Sequence, residues 1–108
     1  MRGERSLYWQ GAGLRVEWRP AAINDVRAIF DYLIELNPQA ALAVSDALVN
    51  AGDSLSALPR RGRPGLIAGT RELVVLRPYI MVYEVDGETD CVRILRIWHR
   101  SRDRDNRR

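Results

Sequence analysis

The chain has 108 residues, of which 46% are hydrophobic and 29% are charged, and its formal net charge is +3. This length suits one compact domain, and this balance of residue types argues against a disordered chain. No stretch is long and apolar enough to span a membrane, so we expect a cytoplasmic protein without membrane contact.

The first residues differ from the rest of the chain. Residues 1–13 follow no regular period and end in Gln10-Gly11-Ala12-Gly13. We therefore expect a flexible leader there, then one folded domain over residues 14–102 and a basic tail over residues 103–108. The domain opens with residues 15–18, in which polar and apolar side chains alternate as they do in a short strand.

Two amphipathic helices are predicted next, joined as a hairpin. Pro20 suits the first turn of a helix, and apolar residues recur at helical spacing as far as Leu36. These apolar residues are Ala22, Val26, Ile29, Phe30 and Leu33. Asn37 and Pro38 then end the first helix and begin the second, with Asn37 as its N-cap. The same spacing continues through Ala41, Val44, Leu48, Ala51, Leu55 and Leu58.

A basic loop and three strands complete the prediction. Two Pro and two Gly within residues 59–65 exclude regular structure there. Residues 71–77, 79–85 and 91–98 are rich in β-forming side chains, and Asp86-Gly87 is a turn signal between the last two segments. We therefore expect an α+β fold of order β-α-α-β-β-β, with the helical hairpin packed on one face of an antiparallel sheet and the other face uncovered.

Charge is distributed unevenly along the chain. Residues 20–58 hold one Arg against five acidic residues, whereas residues 91–108 hold seven Arg against two Asp. Arg binds phosphates and carboxylates through paired hydrogen bonds, so the arginine-rich segments suit an anionic partner, with a merely solvated basic surface as the alternative. Strand parity places some of these arginines beside apolar side chains, as on a docking surface. The candidate binding residues are Arg60, Arg61, Arg63, Arg93, Arg96, Trp98, Arg100 and Arg102.

His99 is the only histidine, and it follows the last predicted strand. Flanking arginines disfavour its protonated form, as a general base requires. Cys91 stands alone, so no intrachain disulfide forms, and we expect a packed strand residue. The sequence has no Cys/His cluster with metal-binding spacing and no glycine-rich phosphate loop, so neither a metal nor a cofactor is expected.

Five segments of the chain together form a recognisable pattern. They are Asn37-Pro38-Gln39-Ala40-Ala41, Gly62-Arg63-Pro64-Gly65, Gly69-Thr70-Arg71-Glu72-Leu73-Val74-Val75, Tyr79 with Val82-Tyr83, and Ile94-Leu95-Arg96-Ile97-Trp98-His99. In this order they resemble the RelE/ParE superfamily of toxins from type II toxin–antitoxin systems. The resemblance covers residues 14–102. It implies a growth-inhibiting toxin that a cognate acidic antitoxin wraps and blocks, so that the two proteins form a hetero-oligomer.

The superfamily divides by target, and the resemblance leaves both targets open. RelE-like toxins cleave ribosome-bound messenger RNA without a metal, and His99, Arg71 and Arg77 are the candidate catalytic residues for that reaction, with Arg96 and Arg102 as further cations. ParE-like toxins inhibit DNA gyrase and need no catalytic set. Ile80 stands where studied RelE members carry Arg, which favours the second alternative slightly. A third alternative is a non-toxic relative that only binds antitoxin.

Overall fold

The computed structural model describes residues 13–100 of the chain. The domain contains two helices, α1 (Pro20–Leu36) and α2 (Pro38–Ser54), and the strands β1 (Arg15–Trp18), β2 (Arg63–Pro64), β3 (Arg71–Leu76), β4 (Tyr79–Asp86) and β5 (Cys91–His99). The α+β fold and the order of the predicted elements are confirmed, with β2 as an addition. The first 12 residues of the predicted leader, Arg102 and the predicted tail over residues 103–108 lie outside the described residues.

The helical hairpin forms for the local reasons that its sequence suggests. Asn37 ends α1, where its backbone N–H donates to the Leu33 carbonyl at 2.7 Å. The Asn37 side chain accepts a hydrogen bond from the Ala40 N–H at 3.1 Å and so caps α2. α2 ends at Ser54, before the predicted Leu58, because tight turns from Gly52 onward carry the chain off the helix axis. Leu55, directly after the helix, is fully buried with Leu48 and Ala51 on the core face, whereas Leu58 is exposed.

The five strands form one sheet in the order β1-β5-β4-β3-β2. β1 is parallel to β5, with Val16 opposite Val92, while all the other neighbouring strands are antiparallel. The sheet is therefore mixed rather than antiparallel throughout, since the helices carry the chain from β1 to β2 at the opposite edge and the antiparallel strands then return it to β1, where β5 runs parallel.

The loop that was predicted to lack regular structure contributes β2. Arg63 and Pro64 pair with Glu72 and Arg71 at the edge of the sheet. An edge strand tolerates Pro, because the missing N–H faces away from the neighbouring strand. That loop prediction was therefore wrong for these two residues.

The core lies between the hairpin and one face of the sheet. Its buried residues include Ile29 of α1, Leu48 of α2, Met81 and Tyr83 of β4 and Ile94 of β5. Burying such side chains stabilises the fold by about 1.5–3 kcal/mol each. Among residues 13–100, no helix is long and apolar enough to cross a membrane.

The sheet face away from the helices is less open than the sequence suggested. Ile80 and Val82 have the strand parity opposite to that of Met81, yet both are buried. Ile80 pairs with Trp98, and Val82 pairs with Arg96, so large side chains of β5 lie beside them. The prediction of an uncovered apolar face is therefore wrong at the central strand.

Candidate functional site

The predicted catalytic residues lie at two different ends of the sheet. Arg71 is opposite Tyr83 on β4, whereas His99 is opposite Tyr79. Tyr79 and Tyr83 are four residues apart, which corresponds to about 14 Å along a strand. The structure therefore does not bring Arg71 to His99. Arg77, in the turn before β4, lies at the His99 end.

Arg71 is engaged in holding a loop. Its Nη1 donates a short hydrogen bond to the Gly62 carbonyl oxygen. The Tyr83 hydroxyl binds the same loop, because it accepts from the Gly62 N–H at 2.8 Å and donates to the Pro59 carbonyl at 2.7 Å. Burial of Tyr83 raises the pKa of its hydroxyl. In this structure Arg71 acts as an anchor for the loop.

The other end of the sheet carries His99 with two arginines. The His99 ring meets the Tyr79 ring edge-on, with centroids 5.5 Å apart and an interplanar angle of 89°. The Arg100 N–H donates to the Pro78 carbonyl at 2.7 Å, which ties the end of β5 to the turn before β4. Arg77 and Arg100 are exposed, and neither forms an ion pair with another residue in 13–100. This end is therefore cationic.

Arg93, a predicted binding residue, is neutralised by three carboxylates of the chain. Its guanidinium lies 3.3 Å from Glu17, 3.2 Å from Glu84 and 2.9 Å from Asp86, and its side chain is 23% exposed. The hydrogen bond from Arg93 lowers the pKa of Asp86 to about 2, and the pKa of Arg93 is raised in turn. Arg93 therefore joins β1, β4 and β5 and is not available to an anionic partner.

Arg96 and Trp98 also have partners within the fold. Arg96 binds Asp25 through Nε at 2.7 Å and Nη2 at 3.0 Å, and the Ile97 N–H donates to the same carboxylate at 2.8 Å. Asp25 of α1 thus binds β5 just beyond the end of β1. Trp98 pairs with Ile80 on the sheet face away from the helices.

The remaining candidates that are described lie in or beside the basic loop. Arg63 pairs with the buried Glu72 at 3.3 Å, and Arg61 donates to the Ser54 hydroxyl at 2.8 Å. Arg60 is exposed and has no ion pair within the described part of the chain. Arg102 lies outside that part. The candidate cations are therefore dispersed, and the free ones are fewer than the sequence suggests.

Sequence analysis missed an apolar groove formed by the helical hairpin and Trp18 of the edge strand β1. The groove has a volume of about 520 Å³. It is lined by Trp18, Ile23, Val26, Arg27, Phe30, Ser45 and Val49. The Ser45 hydroxyl is buried there without a partner among the described residues. Ile23 and Phe30 form a second apolar stripe on α1, seven residues apart, and that spacing was the available signal.

The described residues offer no other type of centre. No group of three or more His, Cys, Asp or Glu side chains among residues 13–100 is placed to hold a metal ion. Cys91 is buried, as expected of a packed strand residue.

Comparison with known proteins identifies related sequences. A family model described as "ParE toxin of type II toxin-antitoxin system, parDE" matches residues 16–104. The chain is also 43% identical over 89 residues to toxin RelE2 of Caulobacter vibrioides, an alignment that covers 82% of this chain and 97% of that protein.

Two solved structures share the fold. The chromosomal ParDE toxin–antitoxin system from P. aeruginosa matches with a TM-score of 0.70 and 30% identity, over 80% of this chain and 95% of that chain. The toxin–antitoxin complex RelBE2 from Mycobacterium tuberculosis matches with a TM-score of 0.56 and 28% identity, over 85% of this chain and 97% of that chain. Both structures are of systems that pair a toxin with an antitoxin.

Proposed function

Since this chain belongs to the ParE toxin family and is the toxin of a type II toxin–antitoxin system, we propose that it arrests growth by binding DNA gyrase. The proposal places its action in the cytoplasm. The observation that carries it is the separation of the predicted catalytic residues, with Arg71 bonded to the Gly62 carbonyl about 14 Å along the sheet from His99.

RNA cleavage by 2′-hydroxyl attack has geometric requirements that Arg71 and His99 together do not meet. A base, an acid and cations must reach one phosphate group within hydrogen-bonding distance. The Arg71 guanidinium is bonded to the Gly62 carbonyl at the start of β3, and the His99 ring packs against Tyr79. A toxin that acts by binding needs only a surface complementary to its target. The contacts that Arg71 and His99 make within the fold do not prevent such binding.

A RelE-like ribonuclease is the second candidate. The observation in its favour is that His99 shares one end of the sheet with Arg77 and Arg100, both exposed. A base and two cations at one end are part of what RNA cleavage needs. In this alternative Arg71 has no catalytic role.

Two assays with purified or induced toxin separate the candidates. We expect the toxin to inhibit DNA supercoiling by purified gyrase, and we expect primer extension on messenger RNA from induced cells to show intact message. The His99→Ala variant should arrest growth as the natural sequence does. Codon-positioned cuts that disappear in His99→Ala, together with uninhibited gyrase, would instead establish the ribonuclease.

We further propose that the cognate antitoxin places an amphipathic helix in the groove of the hairpin. The groove walls are mainly apolar, and Ile23 and Val49 remain exposed to water when the toxin is alone. An amphipathic helix buries its apolar face in such a groove, as in other helix-in-groove complexes. Arg27 at the groove would pair with a carboxylate of an acidic antitoxin.

Two arginine substitutions test the docking site. Val49→Arg puts a long charged side chain into the groove, whereas Asn50→Arg puts the same side chain on the neighbouring exposed position outside it. We expect Val49→Arg to weaken antitoxin binding about tenfold or more, as at an interface hot spot, and to prevent rescue of growth by the antitoxin. Equal affinity of both variants for the antitoxin would exclude this groove.

A further inference from the structure

The segment that joins α2 to β3, residues 58–70, is held in place by side chains of the sheet. We refer to it as the 58–70 loop. The Tyr83 hydroxyl binds both Pro59 and Gly62, and Arg71 binds the Gly62 carbonyl. Gly62 fits closely, since a Cβ there would lie 2.7 Å from the Glu72 carbonyl oxygen. The first half of the loop is therefore held by side chains of β3 and β4.

The second half of the loop is held by Glu72 and Thr70. The buried Glu72 carboxylate accepts from the Leu66 N–H at 3.2 Å and from Arg63 at 3.3 Å. The Gly65 N–H donates to the Thr70 carbonyl at 2.8 Å, and the Thr70 hydroxyl donates to the Ile67 carbonyl at 2.6 Å. A buried carboxylate that accepts these hydrogen bonds resists rearrangement, because breaking them would remove stabilising contacts from a buried charge.

The outer surface of this ordered loop is apolar and basic. Leu66 is 64% exposed and Ile67 is 51% exposed, although neighbouring backbone atoms are fixed. Arg60, Arg61 and Arg63 are exposed on the same loop, which carries no acidic residue. A rigid loop loses little conformational entropy when it binds, so exposed aliphatic side chains on it are well suited to be contact residues.

We infer that the 58–70 loop is the surface through which this toxin binds its target protein, at an acidic site with an apolar pocket for Leu66 and Ile67. The inference rests on the proposed function, in which growth arrest follows from binding a protein. The positive charge of Arg60 and Arg61, neither of which pairs with a carboxylate of the described residues, selects an acidic partner surface.

The composition of the loop favours a protein over a nucleic acid. It contains no aromatic side chain, whereas single-stranded nucleic acids are bound by stacking bases on aromatic residues. The loop also lies apart from the groove of the hairpin, since none of its residues lines that groove. Target binding and antitoxin binding are therefore assigned to two separate surfaces.

A double variant and a matched control test the inference in the full chain. Leu66→Asn with Ile67→Asn removes both aliphatic side chains, and Asn is well tolerated in turns. The control is Leu36→Asn, because Leu36 is 65% exposed but lies at the end of α1. For each variant, growth arrest on induction, affinity for the purified cognate antitoxin and thermal stability would be measured.

We expect growth arrest by the double variant to require about ten times as much protein as arrest by the natural sequence, as for loss of an interface hot spot. Its antitoxin affinity and thermal stability should be unchanged, and Leu36→Asn should match the natural sequence in all three measurements. Arg60→Glu should likewise weaken growth arrest without changing antitoxin affinity.

Three results would overturn the inference while the proposed function stands. They are undiminished arrest by the double variant, an equal loss of arrest in Leu36→Asn, and a loss of antitoxin affinity that parallels the loss of arrest. If the natural sequence itself does not inhibit purified gyrase or arrest growth, the proposed function fails and this inference fails with it.

Discussion

Replacing Tyr83 with Phe removes one hydroxyl group and leaves the ring in the core. That hydroxyl accepts from the Gly62 N–H at 2.8 Å and donates to the Pro59 carbonyl at 2.7 Å. Gly62 is buried, so its N–H would lose its partner in a place with poor access to water. The substitution therefore tests whether β4 holds the 58–70 loop.

The expected loss of stability follows from the two hydrogen bonds. A buried donor left without a partner costs about 1–3 kcal/mol, and a half-buried carbonyl that water can reach costs about 0.5–1 kcal/mol. We therefore expect Tyr83→Phe to lower the free energy of unfolding by about 1.5–4 kcal/mol. For a domain of this size each kcal/mol lowers Tm by roughly 4–8 °C, so the total should be easily detected.

Urea denaturation of Tyr83→Phe and of Tyr79→Phe would measure this effect. Tyr79 lies on the same strand and the same face, and its hydroxyl makes no hydrogen bond with any residue in 13–100, so Tyr79→Phe should change stability by less than about 0.5 kcal/mol. Hydrogen exchange at the Gly62 amide should become faster only in Tyr83→Phe. Equal stability of the two variants would refute the assignment of Tyr83 as the anchor of the loop.

Three further substitutions test other parts of the structure. Gly52→Ala should lower the free energy of unfolding, measured by urea denaturation, by about 1–3 kcal/mol, because a Cβ there would lie 2.5 Å from the Trp18 ring. A Cβ at Gly87 would meet nothing within 4 Å, so Gly87→Ala should leave stability unchanged. Asp25→Ala leaves the Ile97 N–H without its acceptor and should cost about 1–3 kcal/mol in thermal unfolding, with a smaller loss in Asp25→Asn. Arginine lowers the pKa of Asp86 from 3.8 to about 2, so the contribution of this carboxylate is full above pH 4 and is lost as the pH falls toward 2. Acid unfolding of Asp86→Asn should therefore show a flatter dependence on pH in that range, and an unchanged slope would contradict the pairing.

The sequence predicted those features that depend on neighbouring residues. The bounds of α1 agree with the structure, because Pro20 and Asn37 mark its ends and the apolar spacing between them is regular. Asn37 caps α2 as expected, since a cap forms with residues only three positions away. The end of α2 was less predictable, because Leu55 and Leu58 continue the helical spacing although the helix ends at Ser54.

The candidate site depended on contacts between distant parts of the chain. Arg71, Arg77 and His99 were identifiable as residue types, but the separation of Arg71 from the other two follows from the register of three strands. The groove of the hairpin was missed for a similar reason, since Ile23 and Val49 face one another only after the two helices have packed.

Local chemistry alone determined that this chain folds as a helical hairpin with a sheet, because helical spacing, proline positions and turn signals act over a few residues. Only the tertiary structure decided which arginines remain available to a partner. Arg93 is neutralised by two carboxylates of the adjoining strand β4 and by Glu17 of β1, which lies far from it in sequence, whereas Arg60 remains exposed. The charge of a guanidinium is set by its residue type, but its neutralisation depends on which carboxylates folding brings within hydrogen-bonding distance.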